Sequence, residues 1–191
     1  MEQLTQVKEF RNRLLAALSK TGNKGFAESL EEVKLASAEV LYAPGKTIDY
    51  IYFPQNVVVS LVTEMSDSTS LEIGVVGHEG VVGLPLFLGV DRVNNRAIVQ
   101  VAGTALRMRA ADFREEAEKD RDFHRLLHRY TQALFTQVVQ SASCNRLHRV
   151  ENRCSRWLLM VHTQAGRDNF MLTQEFLSQM LAVRRASVQS A

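Results

Sequence analysis

Leu172-Thr173-Gln174-Glu175-Phe176-Leu177-Ser178-Gln179-Met180-Leu181-Ala182-Val183-Arg184-Arg185-Ala186-Ser187-Val188 reads as a helix-turn-helix near the end of a 191-residue chain. Thr173 is a residue type that caps a helix by accepting free backbone N–H groups, and Glu175 places an acid in the first turn, where the helix dipole favours it. Phe176, Leu177, Met180 and Leu181 recur at helical spacing and make one apolar face. Ala182-Val183 supplies a small residue for a compact turn and an apolar plug after it. Arg184-Arg185-Ala186-Ser187-Val188 then opens a second helix. In such a motif the first residues of the second helix meet base edges, where arginine pairs bidentately with guanine and serine meets a base or a phosphate. The candidate DNA-binding residues are therefore Thr173, Gln174, Arg184, Arg185 and Ser187. Two ordinary packed surface helices would show the same periodicity.

The charge distribution agrees with a polyanion partner at this end. Net charge is +2, yet from Cys144 to Ala191 seven arginines face only Glu151, Asp168 and Glu175, so the remainder sums to −2. A basic C-terminal quarter on a slightly acidic body suits nucleic acid, although ordinary charge scatter would produce a bias of this size too. No apolar run approaches the roughly 20 residues that cross a bilayer. The start, Met1-Glu2-Gln3-Leu4, has no basic-then-apolar secretion pattern. Two cysteines, Cys144 and Cys154, are too few for a disulfide scaffold or an iron–sulfur cluster. A cytoplasmic location, with no membrane partner, is the expectation.

Upstream, Leu4, Val7, Phe10, Leu14, Leu15 and Leu18 predict an amphipathic helix over 4–20, ended by Thr21-Gly22-Asn23. From Val33 to Met108 the period becomes two. Tyr50–Phe53, Val57–Val62, Leu71–Val76, Ala97–Val101 and Ala105–Met108 read as short strands of a sandwich or jelly roll. After Asp112 helical spacing returns. Phe123, Leu127, Tyr130, Leu134 and Val138 form a stripe on a helix of roughly 25 residues, longer than one small barrel covers, which suggests a homodimer seam; a helix packed on its own domain is the alternative. Leu147, Val150, Cys154, Trp157, Leu158 and Val161 mark the next helix, stopped by Gly166.

This order of elements resembles the Crp/Fnr family of bacterial transcription regulators, over nearly the whole chain. Three stretches carry the resemblance: Leu172–Val188, the glycine-punctuated run Gly74-Val75-Val76-Gly77-His78-Glu79-Gly80-Val81-Val82-Gly83, and Arg96-Ala97 ahead of a strand. The resemblance implies an α+β chain: an antiparallel β jelly roll of the cyclic-nucleotide-binding type with an N-terminal helix (1–110), a long dimerisation helix (111–145) and an incomplete winged helix-turn-helix (146–191). It implies double-stranded DNA, a small-molecule effector and a second copy of the chain as partners. The effector pocket would lie at Gly83, Leu84, Arg96 and Ala97.

Departures from the family pattern limit the effector. Nucleotide-binding members follow the cassette glycine with a glutamate that holds the ribose hydroxyl; here Leu84 and Pro85 follow Gly83. Ala97 stands where a hydroxyl joins the arginine. A ribose hydroxyl buried without its acceptor costs roughly 1–3 kcal/mol, about tenfold to a hundredfold in affinity, so tight cyclic AMP binding is not expected. No N-terminal cysteine cluster supports redox sensing. His124 and His128 are spaced for a metal but lack further ligands, so neither a metal nor another cofactor is expected. No phosphate loop, dinucleotide fingerprint or Gly-x-Ser-x-Gly occurs, and the protein is not expected to be an enzyme. The family's recognition helix runs further past Ser187 and a β-wing follows. A chain that stops at Ala191 is thus expected to bind DNA weakly, or to serve as a ligand- or protein-binding module that does not read DNA by itself.

Overall fold

The computed structural model describes residues 10–19, 24–64 and 70–189. It is an α+β chain built on two antiparallel sheets that face each other as a jelly roll. The strands are β1 (Glu31–Leu35), β2 (Val40–Tyr42), β3 (Tyr50–Pro54), β4 (Val58–Glu64), β5 (Ser70–Val76), β6 (Asn95–Val101) and β7 (Gly103–Arg109). One sheet has the order β1-β7-β3 and the other β2-β6-β4-β5. The five strands expected from apolar alternation are present. β1 lies in a polar stretch, Glu31-Glu32-Val33-Lys34-Leu35, and β2 is only three residues, Val40-Leu41-Tyr42, so alternation is too weak in one and too short in the other to single them out.

Between the sheets lies a closed apolar core. Ile51, Phe53, Val59, Val76, Val99 and Leu106 fill it, each nearly or wholly shielded from solvent. Helix α1 (Arg13–Leu18) plugs one end with Leu14, Leu15 and Leu18. The expected helix over 4–20 differs at its start: Asn12 is extended, and its side chain caps α1 by accepting from the Leu15 N–H at 3.1 Å. Its amide also donates to the carbonyls of Pro54 (3.1 Å) and Gly80 (2.8 Å). A buried asparagine tied to three backbone groups fixes where the helix begins better than apolar spacing does. Leu4, Val7 and the terminator Thr21-Gly22-Asn23 lie outside the described residues. Helix α2 (Lys24–Glu28) follows and sends Phe26 edge-on against Phe53 and Phe123.

After β7, α3 (Ala110–Lys119) leads to a break at Asp120, whose carboxylate caps the long helix α4 (Arg121–Leu147) by accepting from Asp122 and Phe123 N–H. Then come α5 (Val150–Ala165), α6 (Gln174–Met180) and α7 (Arg185–Gln189). Leu147 ends α4 and is exposed rather than opening the stripe of α5.

The glycine run is a docking track for helices. A Cβ at Gly80 would collide with the Tyr130 ring of α4, one at Gly77 with Gln164 of α5, and one at Gly74 would sit 3.2 Å from Gln137 Oε1 of α4. Gln137 fastens α4 there, accepting from Val75 N at 2.8 Å and donating to Val75 O at 3.1 Å.

A second apolar core lies outside the jelly roll. Val58, Val62, Val75 and Val101 of the four-stranded sheet meet Trp157, Val161 and Ala165 of α5 and Leu177, Met180 and Leu181 of the α6 end. The sheet is thus covered on both faces, which is why β4 reads as an almost unbroken apolar run.

Candidate nucleic-acid interface and the interdomain face

Thr173 is extended and caps α6, its hydroxyl accepting from Phe176 N at 3.1 Å. Gln174 next to it accepts from Gln189 Nε2 of α7 at 3.2 Å. The turn between the helices is tight because Ala182 takes a left-handed backbone, φ 49. Its N–H donates to Gln179 O at 3.1 Å, and the Val183 N–H donates to Ser178 O at 3.0 Å. These bonds satisfy the last carbonyls of α6 in the manner of a helix stop. Val183 turns into the second core. Arg153 of α5 adds a guanidinium bond to the Leu181 carbonyl at the end of α6. Arg184 and Arg185 are exposed at the start of α7, and the Ser187 N–H closes the first turn on Arg184 O at 2.9 Å.

Two arginines held outward by a rigid turn can meet phosphates or base edges. Here they also line a cleft of about 510 Å³ between the four-stranded sheet and the α6–α7 pair, with Ser70, Arg96, Ser178 and Gln179.

The presence of Arg96 in that cleft corrects the expected effector pocket. Period two along β6 sends Arg96, Ile98 and Gln100 to the outer face, and Ala97 and Val99 into the jelly roll. Arg96 and Ala97 therefore face opposite sides of the sheet. Arg96 instead pairs with Glu64 of β4 at 2.9 Å. Gly83 is where a residue with φ 100 is needed, packed against Ile51 and Tyr50 O, and Leu84 fills the core behind it. The four expected residues are therefore not brought together: Leu84 and Ala97 are core packing, Gly83 is a turn, and Arg96 faces the helix-turn-helix.

The dimerisation stripe is corrected as well. Phe123, Leu127 and Tyr130 are 0%, 0% and 7% exposed and belong to the chain's own first core, with Leu134 packed against it. They are not free for a partner. Besides Leu147 at its end, α4 exposes the apolar groups Phe135 (62%) and Val139 (48%), with half-buried Val138 beside them. Apolar spacing identified a stripe but not which side of it the chain's own β-roll occupies. His124 and His128 stack edge-on with each other at 4.6 Å, and both with Phe87.

Sequence reasoning passed over the groups that bind the helices to the sheet. Glu72 of β5 is buried in the second core, where Oε2 accepts from Ser60 Oγ at 2.6 Å and Oε1 from Trp157 Nε1 at 2.8 Å. Burial pushes its carboxyl up to about 8, against the pull of the two hydrogen bonds and of Arg156. The C-terminal end of α5, where carbonyls lack partners, is held by β-roll groups: Arg11 donates to Gly166 O at 2.9 Å, and His78 Nδ1 lies 2.9 Å from Gln164 O. Arg167 donates to Ala102 O at 2.8 Å. The one signal in the sequence was Glu72 itself, a lone acid inside Leu71-Glu72-Ile73-Gly74-Val75-Val76.

No protein-family model matches the sequence, and no curated protein is similar to it in sequence. Solved structures are similar in fold. The c-di-GMP-responsive global regulator CLP of Xanthomonas campestris is 14% identical with a TM-score of 0.69, over 86% of each chain. FixK2 from Bradyrhizobium japonicum is 14% identical with a TM-score of 0.71, over 84% of this chain and 81% of that one. A Crp-family transcriptional regulator of Thermus thermophilus is 16% identical with a TM-score of 0.67, over 83% and 80%. Among the described residues no helix is long and apolar enough to cross a membrane. The jelly roll, the long helix and the helices after it thus share the fold of the Crp/Fnr transcription regulators.

Proposed function

We propose that the chain is a cytoplasmic DNA-binding transcription regulator and not an enzyme, in which a β-roll senses an effector and a helix-turn-helix reads double-stranded DNA. The observation that carries this reading is the α6–turn–α7 unit: a capped first helix, the left-handed turn at Ala182, and Arg184 and Arg185 exposed where the second helix begins. Thr173 and Gln174 at the start of α6 would add phosphate contacts, and Ser187 a base or phosphate contact. The chain would act as a homodimer through the exposed Phe135–Val139 side of α4, presenting two readers to half-sites about one helical turn apart.

The effector remains a small molecule without a built sugar acceptor. An anionic one would meet Arg96 in the cleft between the four-stranded sheet and the α6–α7 pair rather than inside the jelly roll, whose interior at Leu84 and Ala97 is packed.

A gel-shift selection from random duplexes tests the reading. A specific site should emerge. Arg184→Ala or Arg185→Ala should then cost about 1–3 kcal/mol, with relaxed specificity for a base-reading arginine and a flatter salt dependence for a phosphate-binding one. Salt-sensitive binding with no sequence preference would overturn it.

A second reading, a ligand- or protein-binding module without autonomous DNA binding, is favoured by one observation. The apolar face of α6 is closed by the jelly-roll sheet, so the helix-turn-helix has no separate core among the described residues.

A further inference from the structure

Polar contacts fringe the joint between the β-roll and helices α5–α7, and its middle is apolar around one carboxyl. Val58, Val62, Val75 and Val161 are fully shielded there, and in their midst sits the Glu72 carboxyl. Every strand and helix around it contributes something specific. From β4, the Ser60 hydroxyl bonds Glu72 Oε2. From β6, the Gln100 amide lies 2.9 Å from the same hydroxyl oxygen. A hydroxyl has one proton, so Ser60 gives it to Glu72 Oε2 when the carboxyl is ionised and to Gln100 Oε1 when a protonated Glu72 donates to Ser60 instead. From α5, Trp157 donates to Oε1, and Arg156 provides a positive charge while donating to Ser141 of α4 at 3.3 Å. Cys154, also on α5, packs at the edge of this core, and its thiol is pushed up by burial. From α6 come Leu177, Met180 and Leu181.

This arrangement accommodates a neutral carboxyl well and a carboxylate poorly. The protonated group keeps the Trp157 bond. The ionised group has two neutral donors and no cation in hydrogen-bond contact, inside an apolar joint. Parting the joint would return Glu72 to water, where its charge costs nothing. A glutamine could tie the same Ser60 and Trp157 without titrating; a glutamate makes the joint respond to protons.

We propose that Glu72 and Trp157 form a proton-operated latch that holds helices α5–α7 against the β-roll when Glu72 is protonated and loosens them when it ionises. The docked state binds the proton that the released state gives up. Docking is therefore strongest below the free carboxyl's value of 4.5, weakens by up to tenfold per pH unit as pH rises toward about 8, and changes no further above that. Neutral pH falls on the slope, so small proton changes, or a ligand that moves a charge near Glu72, bias the joint. The latch does not depend on DNA reading.

The protein reports on this joint itself, because Trp157 is its single tryptophan. Acrylamide quenching of Trp157 emission is measured on the full chain from pH 5 to pH 9, with far-UV circular dichroism to verify that the fold holds. Quenching should rise at least threefold between pH 6 and pH 8 and level off above. Glu72→Gln should remain at the low value throughout. Ser60→Ala, which removes a bond that favours the carboxylate, should move the rise to higher pH, and it serves as the test where Glu72→Gln does not fold. A flat wild-type profile, or the same profile in Glu72→Gln or Ser60→Ala, would overturn the latch. Loss of specific DNA binding with an intact quenching profile would instead count against the regulator reading alone.

Discussion

The two faces of the four-stranded sheet follow different rules. On the inner face Val59, Leu61, Val76, Ala97 and Val99 meet other apolar groups in a closed core. On the outer face the valines alternate with Ser60, Glu72, Arg96 and Gln100, and the cover consists of helices from the far end of the chain. A face made only of hydrocarbon is indifferent to pH, and disrupting it destabilises the whole domain. A face with buried polar groups has to satisfy each of them, and its closure depends on their protonation and partners. The inner face makes the fold, whereas the outer face sets where α5, α6 and α7 lie.

The largest effects should come from the inner core. Leu127 of α4 is 0% exposed and packs in it. Leu127→Glu would bury an unpaired charge and leave a gap, and should cost at least about 4 kcal/mol in denaturant unfolding. On the same helix, Phe135→Glu alters an exposed position and should change the stability of a single chain by less than about 0.5 kcal/mol. If α4 pairs two copies as proposed, light scattering should nevertheless show the wild type as a dimer and Phe135→Glu as a monomer at the same concentration. Equal stability losses from the two substitutions would erase the distinction between the two sides of α4.

Leu177→Ala tests the outer face. It empties part of the second core and should cost about 2–5 kcal/mol, but locally. Hydrogen exchange should accelerate in α5, α6 and α7 while β4 and β6 retain their protection. Equal acceleration in the strands would mean that the two cores form a single cooperative unit.

The sequence makes the inner face easier to read than the outer one. Alternation over Tyr50–Phe53 and Ala105–Met108 reveals strands because one side of each is core. The capping hydroxyl of Thr173 and the small residue at Ala182 likewise identify the helix pair from local chemistry alone. What alternation leaves open is which side meets which neighbour. Arg96 and Ala97 stand adjacent in the chain, as a pocket motif would place them, yet the pleat separates them by the thickness of the sheet. Phe123, Leu127 and Tyr130 are spaced as a dimer seam would be, and the chain's own β-roll occupies that side. Glu72 and Trp157 are 85 residues apart, and local pattern carries no trace of their hydrogen bond. Glu31–Leu35 pairs with β7 through backbone groups that any sequence has, so its polar side chains conceal it.

The smallest effect falls at the turn of the helix pair. Ala182 holds φ 49, where a Cβ crowds the following carbonyl and costs roughly 1–2 kcal/mol relative to a residue without one. Ala182→Gly removes that strain but gives the unfolded chain more freedom, which returns roughly 0.4–1 kcal/mol. At the middle of these ranges the net gain should be small, about 1 kcal/mol, and confined to α6 and α7. Exchange of the Val183 N–H, which bonds Ser178 O at 3.0 Å, should slow by up to about fivefold, while amides of the inner strands stay unchanged. A slowing that spreads to β4 and β5 would mean that the turn's strain is shared across the joint. Faster exchange at Val183 would mean that the alanine methyl contributes more to the turn than its strained backbone costs.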